Sequence, residues 1–281
     1  MNKIPIKMIV LDLDGTLLND NKVITERNKQ ALAKLKKQGV KIVFASGRTN
    51  FMMSLFQEPY VVCDYHLSFN GGMAEDLFTN EVMYQVTIEQ AVTKEIWQYL
   101  ADNLSAYTAY SQEMMYFYDQ TKSIVRNKLS EYINLAASEQ VNISPTFTEL
   151  SYGEIESKPN VDILKFVAYE EEPGRIAQFR EFLTEYQQVK AEATGYGITG
   201  IFDRHVSKGA AVVKLRNLLK IEKDEVCVIG DYDNDISMFN EAGLKVAMVN
   251  GTECLKAHAD YVCPDNNHDG IAHFIEEYLI D

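Results

Sequence analysis

Ile6-Lys7-Met8-Ile9-Val10-Leu11-Asp12-Leu13-Asp14-Gly15-Thr16-Leu17-Leu18 is the stretch on which the fold class turns. An apolar run interrupted by one lysine reads as a strand buried on both faces. It ends in two aspartates at i and i+2 beside a glycine turn. The same grammar recurs: Val40 to Ala45 ends at Ser46-Gly47-Arg48, Glu225 to Ile229 ends at Gly230-Asp231, and Lys245 to Val249 is one more strand. Between the first two lies a helical stretch, with Thr25 as N-cap, Ala31, Leu32 and Leu35 facing inward and Gly39 closing it. Strands alternating with helices imply a parallel sheet whose ligands bind at the carboxyl ends of the strands. The polar clusters Asp12 to Thr16, Ser46 to Arg48 and Gly230 to Asp235 are therefore expected to converge on one edge.

The middle of the chain reads differently. Aromatic, strand-like runs such as Met114 to Tyr118 and Ile163 to Tyr169 sit beside helical stretches such as Glu89 to Leu100 and Gly174 to Tyr186. At about 150 residues per domain, 281 residues suggest two domains or one with an insertion. Because the polar clusters lie at both ends, the second is expected: an α/β protein with a Rossmann-like parallel-sheet core formed by residues 1–84 and 200–281. Residues 85–199 are expected to form an inserted α+β domain.

With 46% hydrophobic and 24% charged residues the composition is that of a globular protein. Against 41 acidic residues stand 27 basic ones, a formal net charge of −14, which argues against a nucleic-acid partner. A small anionic substrate stays open, since one well-placed lysine outweighs distant, screened carboxylates. No run approaches the roughly 20 apolar residues of a membrane span, and the N-terminal apolar stretch, broken by Pro5 and Lys7, does not read as a signal peptide. Cys63, Cys227, Cys254 and Cys263 form no C-x-x-C, and three lie in apolar runs. Reduced thiols in a cytoplasmic protein are the expectation.

The clusters also suggest chemistry. Asp12, ionised at neutral pH, could attack phosphorus without a separate base, while Asp14 could protonate a leaving alcohol and then activate water. Taken alone, the pair also reads as a polar strand-to-turn exit. Hard oxygen donors in Gly230-Asp231-Tyr232-Asp233-Asn234-Asp235 suit Mg²⁺, but an Asp-rich helix start is also good capping. Ser46 and the backbone after it could hold phosphate oxygens. Ser207 reads as the N-cap of a helix running to Leu219, which puts Lys208 against the macrodipole and a poor helix former, Gly209, in the first turn. That local cost suggests an ammonium aimed at a phosphate, the alternative being a solvated lysine.

Taken in order, Asp12 to Leu18, Ala45-Ser46-Gly47-Arg48, Ser207-Lys208-Gly209 and Gly230-Asp231 through Asn234-Asp235 resemble the four motifs of the haloacid dehalogenase-like phosphatases. The closer resemblance is to the Cof-type subfamily with a large α/β cap. Phe69-Asn70-Gly71-Gly72, Ala242-Gly243 through Ala247-Met248 and Asp269-Gly270 resemble further subfamily landmarks. The resemblance implies a Mg²⁺-dependent phosphatase of small phosphorylated metabolites with an aspartyl-phosphate intermediate, its specificity residing in the cap. It implies Asp12 as nucleophile and metal ligand, and Asp14 as general acid/base whose backbone carbonyl also ligates the metal. Asp231 would be a further ligand, with Asp235 supporting it or its waters. Phosphate or substrate would be held by the Leu13 and Gly47 amides, the Ser46 hydroxyl, Arg48, Lys208 and Asn234. Three departures stand out: Ser46 where many relatives have Thr, Gly72 where Ala is usual, and Val249-Asn250-Gly251 in place of Gly-Asn-Ala. Asp233 is an extra carboxylate, expected to point away from the metal. A phosphomutase or phosphotransferase and a non-catalytic phospholigand-binding protein are the alternatives; a dehalogenase would not use the acid at position 14.

Asp265, Asn267, Asp269, Gly270 and Glu276 match the spacing of an EF-hand loop. Ala259 to Pro264 reads as a strand instead of the required helix, so a turn capping the terminal helix is expected. Trp97 and the aromatics of the middle region read as core, and His205 as solvated or structural.

Overall fold

The computed structural model describes residues 5–56, 63–120, 123–138, 147–150, 161–169, 172–193 and 198–280. The chain divides into two compact units, one of Met1–Arg48, Phe56–Tyr84 and Val206–Asp281, the other of Thr49–Leu55 and Gln85–His205.

The first unit is an α/β layer built on an eight-stranded sheet. Its strands are β1 (Met8–Leu11), β2 (Lys41–Ala45), β3 (Tyr65–Ser68), β4 (Met73–Asp76) and β5 (Glu81–Gln85), with β12 (Val226–Gly230), β13 (Leu244–Met248) and β14 (Tyr261–Cys263) from the far end of the chain. Their order across the sheet is β14-β13-β12-β1-β2-β3-β4-β5. From β14 to β3 every pairing is parallel, and β4 turns back antiparallel to β3. β1 is central and wholly buried, as its unbroken apolar run requires. The register sets Leu11 opposite both Ile229 and Phe44, so the residues after β1, β2 and β12 emerge at one edge. One core cluster joins Met8, Val10, Val43, Val226 and Val228 to Ala211, Val212 and Leu215 of the helix Lys208–Leu219. The helix Glu26–Lys37 starts at Thr25, whose hydroxyl accepts from the Asn28 amide, and gives way to Gly39 at φ 87°.

The second unit is an α+β layer. Its six-stranded sheet comprises β6 (Ala106–Tyr110), β7 (Met115–Asp119), β8 (Phe147–Glu149), β9 (Lys165–Tyr169), β10 (Val189–Ala193) and β11 (Ile198–Asp203), in the order β10-β11-β9-β6-β7-β8. The helices Gln90–Asn103 and Pro173–Leu183 supply Ile96, Trp97, Leu100 and Phe179 to a core with Tyr107, Phe166 and Ile201. Trp97 packs edge-on against Tyr116 and Phe166, a core role. Two boundaries differ from the sequence reading. The expected break at 199 falls inside β11, which pairs with β10 and β9, and Thr49–Leu55 clusters with the second unit. There Tyr132 donates its hydroxyl to the Phe51 carbonyl at 2.7 Å, and Asn50 donates to the Gln112 carbonyl at 3.0 Å.

Gly209 has a packing reason. A Cβ there would lie 2.2 Å from the Ser237 carbonyl oxygen, so only glycine lets the first turn of the 208–219 helix meet the short helix Ile236–Phe239. Gly209→Ala should therefore destabilise the protein by about 1–3 kcal/mol despite alanine's better helix propensity. Urea unfolding checks the sign, since propensity alone predicts a gain.

Candidate active site

Four chain segments meet at the carboxyl edge of the first unit's sheet. Lys208, only 2% exposed, places its ammonium in contact with Asp12 and 2.6 Å from Asp235 Oδ1. Asp235 uses its other oxygen to accept from the backbone amides of Asp231 at 3.0 Å and Tyr232 at 3.2 Å, which folds the loop after β12 into a tight turn. Asp12, Asp231 and Asp235 each present an oxygen to a common point, all within 4.8 Å of one another. Thr16 donates its hydroxyl to Asp231 at 2.7 Å. Gly15 holds φ 83°, and a Cβ on it would lie 2.4 Å from Asp231 Oδ2, so the turn after Asp14 has no room for a side chain.

Asp14 stands apart from this cluster. Arg48 forks onto it with two hydrogen bonds of 2.8 Å, and Lys22 adds a third of 2.8 Å. Arg48, expected to hold phosphate or substrate, is thus engaged with a carboxylate. A guanidinium's planar fork matches both carboxylate oxygens, which explains the preference. Ser46 is buried at the end of β2 and accepts the Arg48 amide at 3.2 Å, and Gly47 lies against the Asn70 side chain. Leu13 buries its side chain in the core while its carbonyl receives the Thr16 and Leu18 amides. Asn234 is exposed, and its carbonyl accepts from the Ser237 hydroxyl. Asp233, also exposed, accepts from the Thr252 hydroxyl at 2.6 Å and lies outside the carboxylate cluster. His205 is exposed beside Asp203, a surface position in the second unit.

Several contributors carried no role in the sequence reading. Asn250 donates to the Gly15 carbonyl at 2.8 Å, and the Thr252 amide donates to the Asp231 carbonyl at 2.9 Å. Phe69 and Asn70, both with left-handed φ, donate backbone amides to the Arg48 and Ser46 carbonyls. The Asn250 and Asn70 turns follow β13 and β3, so the strand-then-polar-turn grammar could have flagged them. Lys22 has no such signal.

A model of the haloacid dehalogenase-like hydrolases matches residues 9–275. The chain belongs to the haloacid dehalogenase-like hydrolase family. It is 25% identical over 283 residues to the 5-amino-6-(5-phospho-D-ribitylamino)uracil phosphatase YwtE of Bacillus subtilis, covering 97% of this chain and 98% of that one. To the pyridoxal phosphate phosphatase YbhA of Escherichia coli it is 26% identical over 275 residues, covering 98% and 99%. The crystal structure of TM0651 from Thermotoga maritima superposes with a TM-score of 0.81 at 28% identity, covering 98% of both chains.

The donor set of this haloacid dehalogenase-like hydrolase fits a divalent cation. Three carboxylates face one Lys208, so the cluster is short of positive charge when all three are ionised. Burial pushes the Asp12 carboxyl above its usual range; Lys208 pulls it down, while Asp235 and Asp231 push it up. Burial also raises Asp231, to about 6, against the Thr16 hydrogen bond. For Lys208 burial works the other way, but the Asp12 and Asp235 charges outweigh it and keep the ammonium protonated. Asp14 shows the opposite balance: burial would raise it, yet Arg48 and then Lys22 hold it well below the usual carboxylate range. Among the EF-hand-like residues, Glu276 is paired with Arg27 at 2.7 Å, Asp265 accepts from His268, and Asp269 accepts from Thr25. That run is therefore not a cation loop. Among the described residues no helix is long and apolar enough to cross a membrane.

Because a cation must displace the protons that burial favours on Asp12 and on Asp231, the latter retained below about pH 6, its affinity should rise with pH through that value. Calorimetric titration with MgCl₂ between about pH 5 and 8 reads this directly, and an affinity flat across that window would contradict it.

Proposed function

We propose that this hydrolase is a Mg²⁺-dependent phosphatase of small phosphorylated metabolites, sugar phosphates or similar phosphomonoesters, that works through an aspartyl-phosphate. The coarse activity, hydrolysis of phosphoric monoesters, follows from the family and from the phosphatase names its relatives share. The observation that carries the finer reading is the buried Lys208 bridging Asp12 and Asp235 beside Asp231.

Asp12 is the nucleophile. Its carboxylate oxygen forms the new bond to phosphorus as the bond to the leaving alkoxide breaks, and the Lys208 ammonium offsets charge on the transferring group. Asp12, Asp231, the Asp14 carbonyl and the supporting Asp235 would hold Mg²⁺, which supplies neutralisation of phosphoryl charge. Ser46, the Gly47 and Leu13 amides and the Asn234 amide complete the phosphate site. Asp14, ionised between Arg48 and Lys22, is set to take a proton from the water that hydrolyses the aspartyl-phosphate. To protonate the leaving alcohol in the first half-reaction it must exchange part of the Arg48 fork for a proton, which frees Arg48 for an anionic substrate. The first unit is the catalytic core and the second the cap that selects substrate. Four free cysteines support a reducing, cytoplasmic setting, and the net charge of −14 supports the absence of a nucleic-acid partner.

Asp12→Asn, which keeps size and hydrogen bonding, should lower phosphate release from a hexose phosphate by roughly a thousandfold or more. Undiminished turnover would sink the nucleophile assignment. Phosphate release without isomeric sugar phosphate separates a phosphatase from a mutase.

A further inference from the structure

The turn after the Asp12–Thr16 loop enters the steps above only through the charge of Lys22, yet the whole turn is built to reach Asp14. The chain reverses between Asn19 and Val23: the Asn19 amide donates to the Val23 carbonyl at 3.1 Å, the Lys22 amide to the Asn19 carbonyl at 2.9 Å, and the Val23 amide to Asn19 Oδ1 at 3.0 Å. Lys22 sits in the left-handed region with φ 62°, which residues carrying a Cβ rarely adopt. Strain of this kind persists where surrounding structure enforces it. Here its result is the Lys22 ammonium 2.8 Å from Asp14 Oδ1.

The enforcing contacts come from the EF-hand-like run. Asn266, 5% exposed, donates to the Leu18 carbonyl at 2.9 Å and to Asp20 Oδ1 at 3.3 Å. Asn267 Oδ1 accepts the Asp20 amide at 3.1 Å, and Asp269 accepts the Thr25 hydroxyl at 2.5 Å. Residues spaced like cation ligands are therefore spent on gripping both sides of the Asn19–Val23 turn.

We propose that the Asn266–Asp269 loop and the Asn19–Val23 turn form one positioning device, through which Lys22 fixes the orientation of the Asp14 carboxylate. Lys22 is a positioning residue, and the inference rests on the reading of Asp14 as proton donor and acceptor. Arg48 and Lys22 approach Asp14 from different segments, so together they define where its oxygens lie. With Lys22 gone, the carboxylate is free to follow the Arg48 side chain. The Lys22–Asp14 pair is half exposed and contributes little to folding stability, which leaves orientation as its consequence.

The test compares a hexose phosphate, whose alkoxide leaving group needs a proton, with p-nitrophenyl phosphate, whose leaving group does not. Lys22→Met should lower kcat/KM for the hexose phosphate about tenfold and for the nitrophenyl ester by less than about threefold, and Lys22→Arg should restore most of the loss. Asn267→Ala, an exposed and mild change, should speed amide hydrogen exchange across residues 19–23. It should also lower hexose phosphate turnover in the wild-type background but not on top of Lys22→Met. Equal losses on both esters, additive effects, or unchanged exchange in Asn267→Ala would each overturn the device. An inactive wild type would instead overturn the reading of the site, while the exchange measurement would still test the fastening.

Discussion

A lysine ammonium with almost no access to water, touching Asp12 and Asp235, is the constraint around which the first unit is arranged. A buried cation is tolerable only when carboxylates surround it, and buried carboxylates only when a cation answers them. The partners come from the end of β1, the loop after β12 and the first turn of the 208–219 helix, so satisfying them fixes all three segments at one point. Local oddities around Lys208 follow from this. Ser207 caps the helix through the Ala210 amide so that a cation can sit in its first turn, and Gly209 lets that turn press against Ser237. The unfavourable propensity and dipole terms are the local cost of delivering a charge to the sheet edge.

Asp12 and Asp14, two residues apart, have opposite environments. Asp12 faces into a crowded, buried carboxylate cluster that raises its affinity for positive charge, while Asp14 faces two cations that hold it ionised. Neighbouring acids driven apart in this way are suited to different tasks, one to meet a phosphoryl group and a metal, the other to handle protons. Strand alternation would put residues two apart on one face, so the separation comes from the chain leaving β1 after Leu11 and turning at Gly15. It does not come from distance along the chain.

Much of this was legible in the sequence because the determinants are local. Apolar runs ending in polar turns gave the strands of the parallel sheet, and the ordered motifs gave Asp12, Asp231, Asp235 and Lys208 as one cluster. What was not legible depends on register or on long-range side-chain choice. The boundary at 199 was misplaced because β11 continues to Asp203 through pairing with β9 and β10, which composition does not encode. The family resemblance implied Arg48 as a phosphate or substrate contact, and only the folded chain shows Asp14 as the anion it meets. The EF-hand spacing misled for the same reason: spacing lists potential ligands, whereas Arg27, Thr25 and the Asp20 amide had already claimed them.

The loops at this edge are held less by their own rigidity than by one another, and strand order determines which can join. Thr252 ties the turn after β13 to Asp233 after β12, and Thr16 after β1 ties to Asp231 after β12. Arg48 after β2 reaches Asp14 after β1, and the Asn70 amide after β3 reaches the Ser46 carbonyl. These four ties join loops of neighbouring strands; Asn250 spans two places, from β13 to the Gly15 carbonyl after β1, and Asn266 and Asn267, after β14, span three to Leu18 and Asp20. A belt of this kind places reacting groups through the sheet's register, because shifting one loop strains bonds to the next. It also accounts for polar residues standing where the buried strands stop: the side chains that leave the core are the ones that fasten adjacent turns, and the carboxylates are held in that fastening.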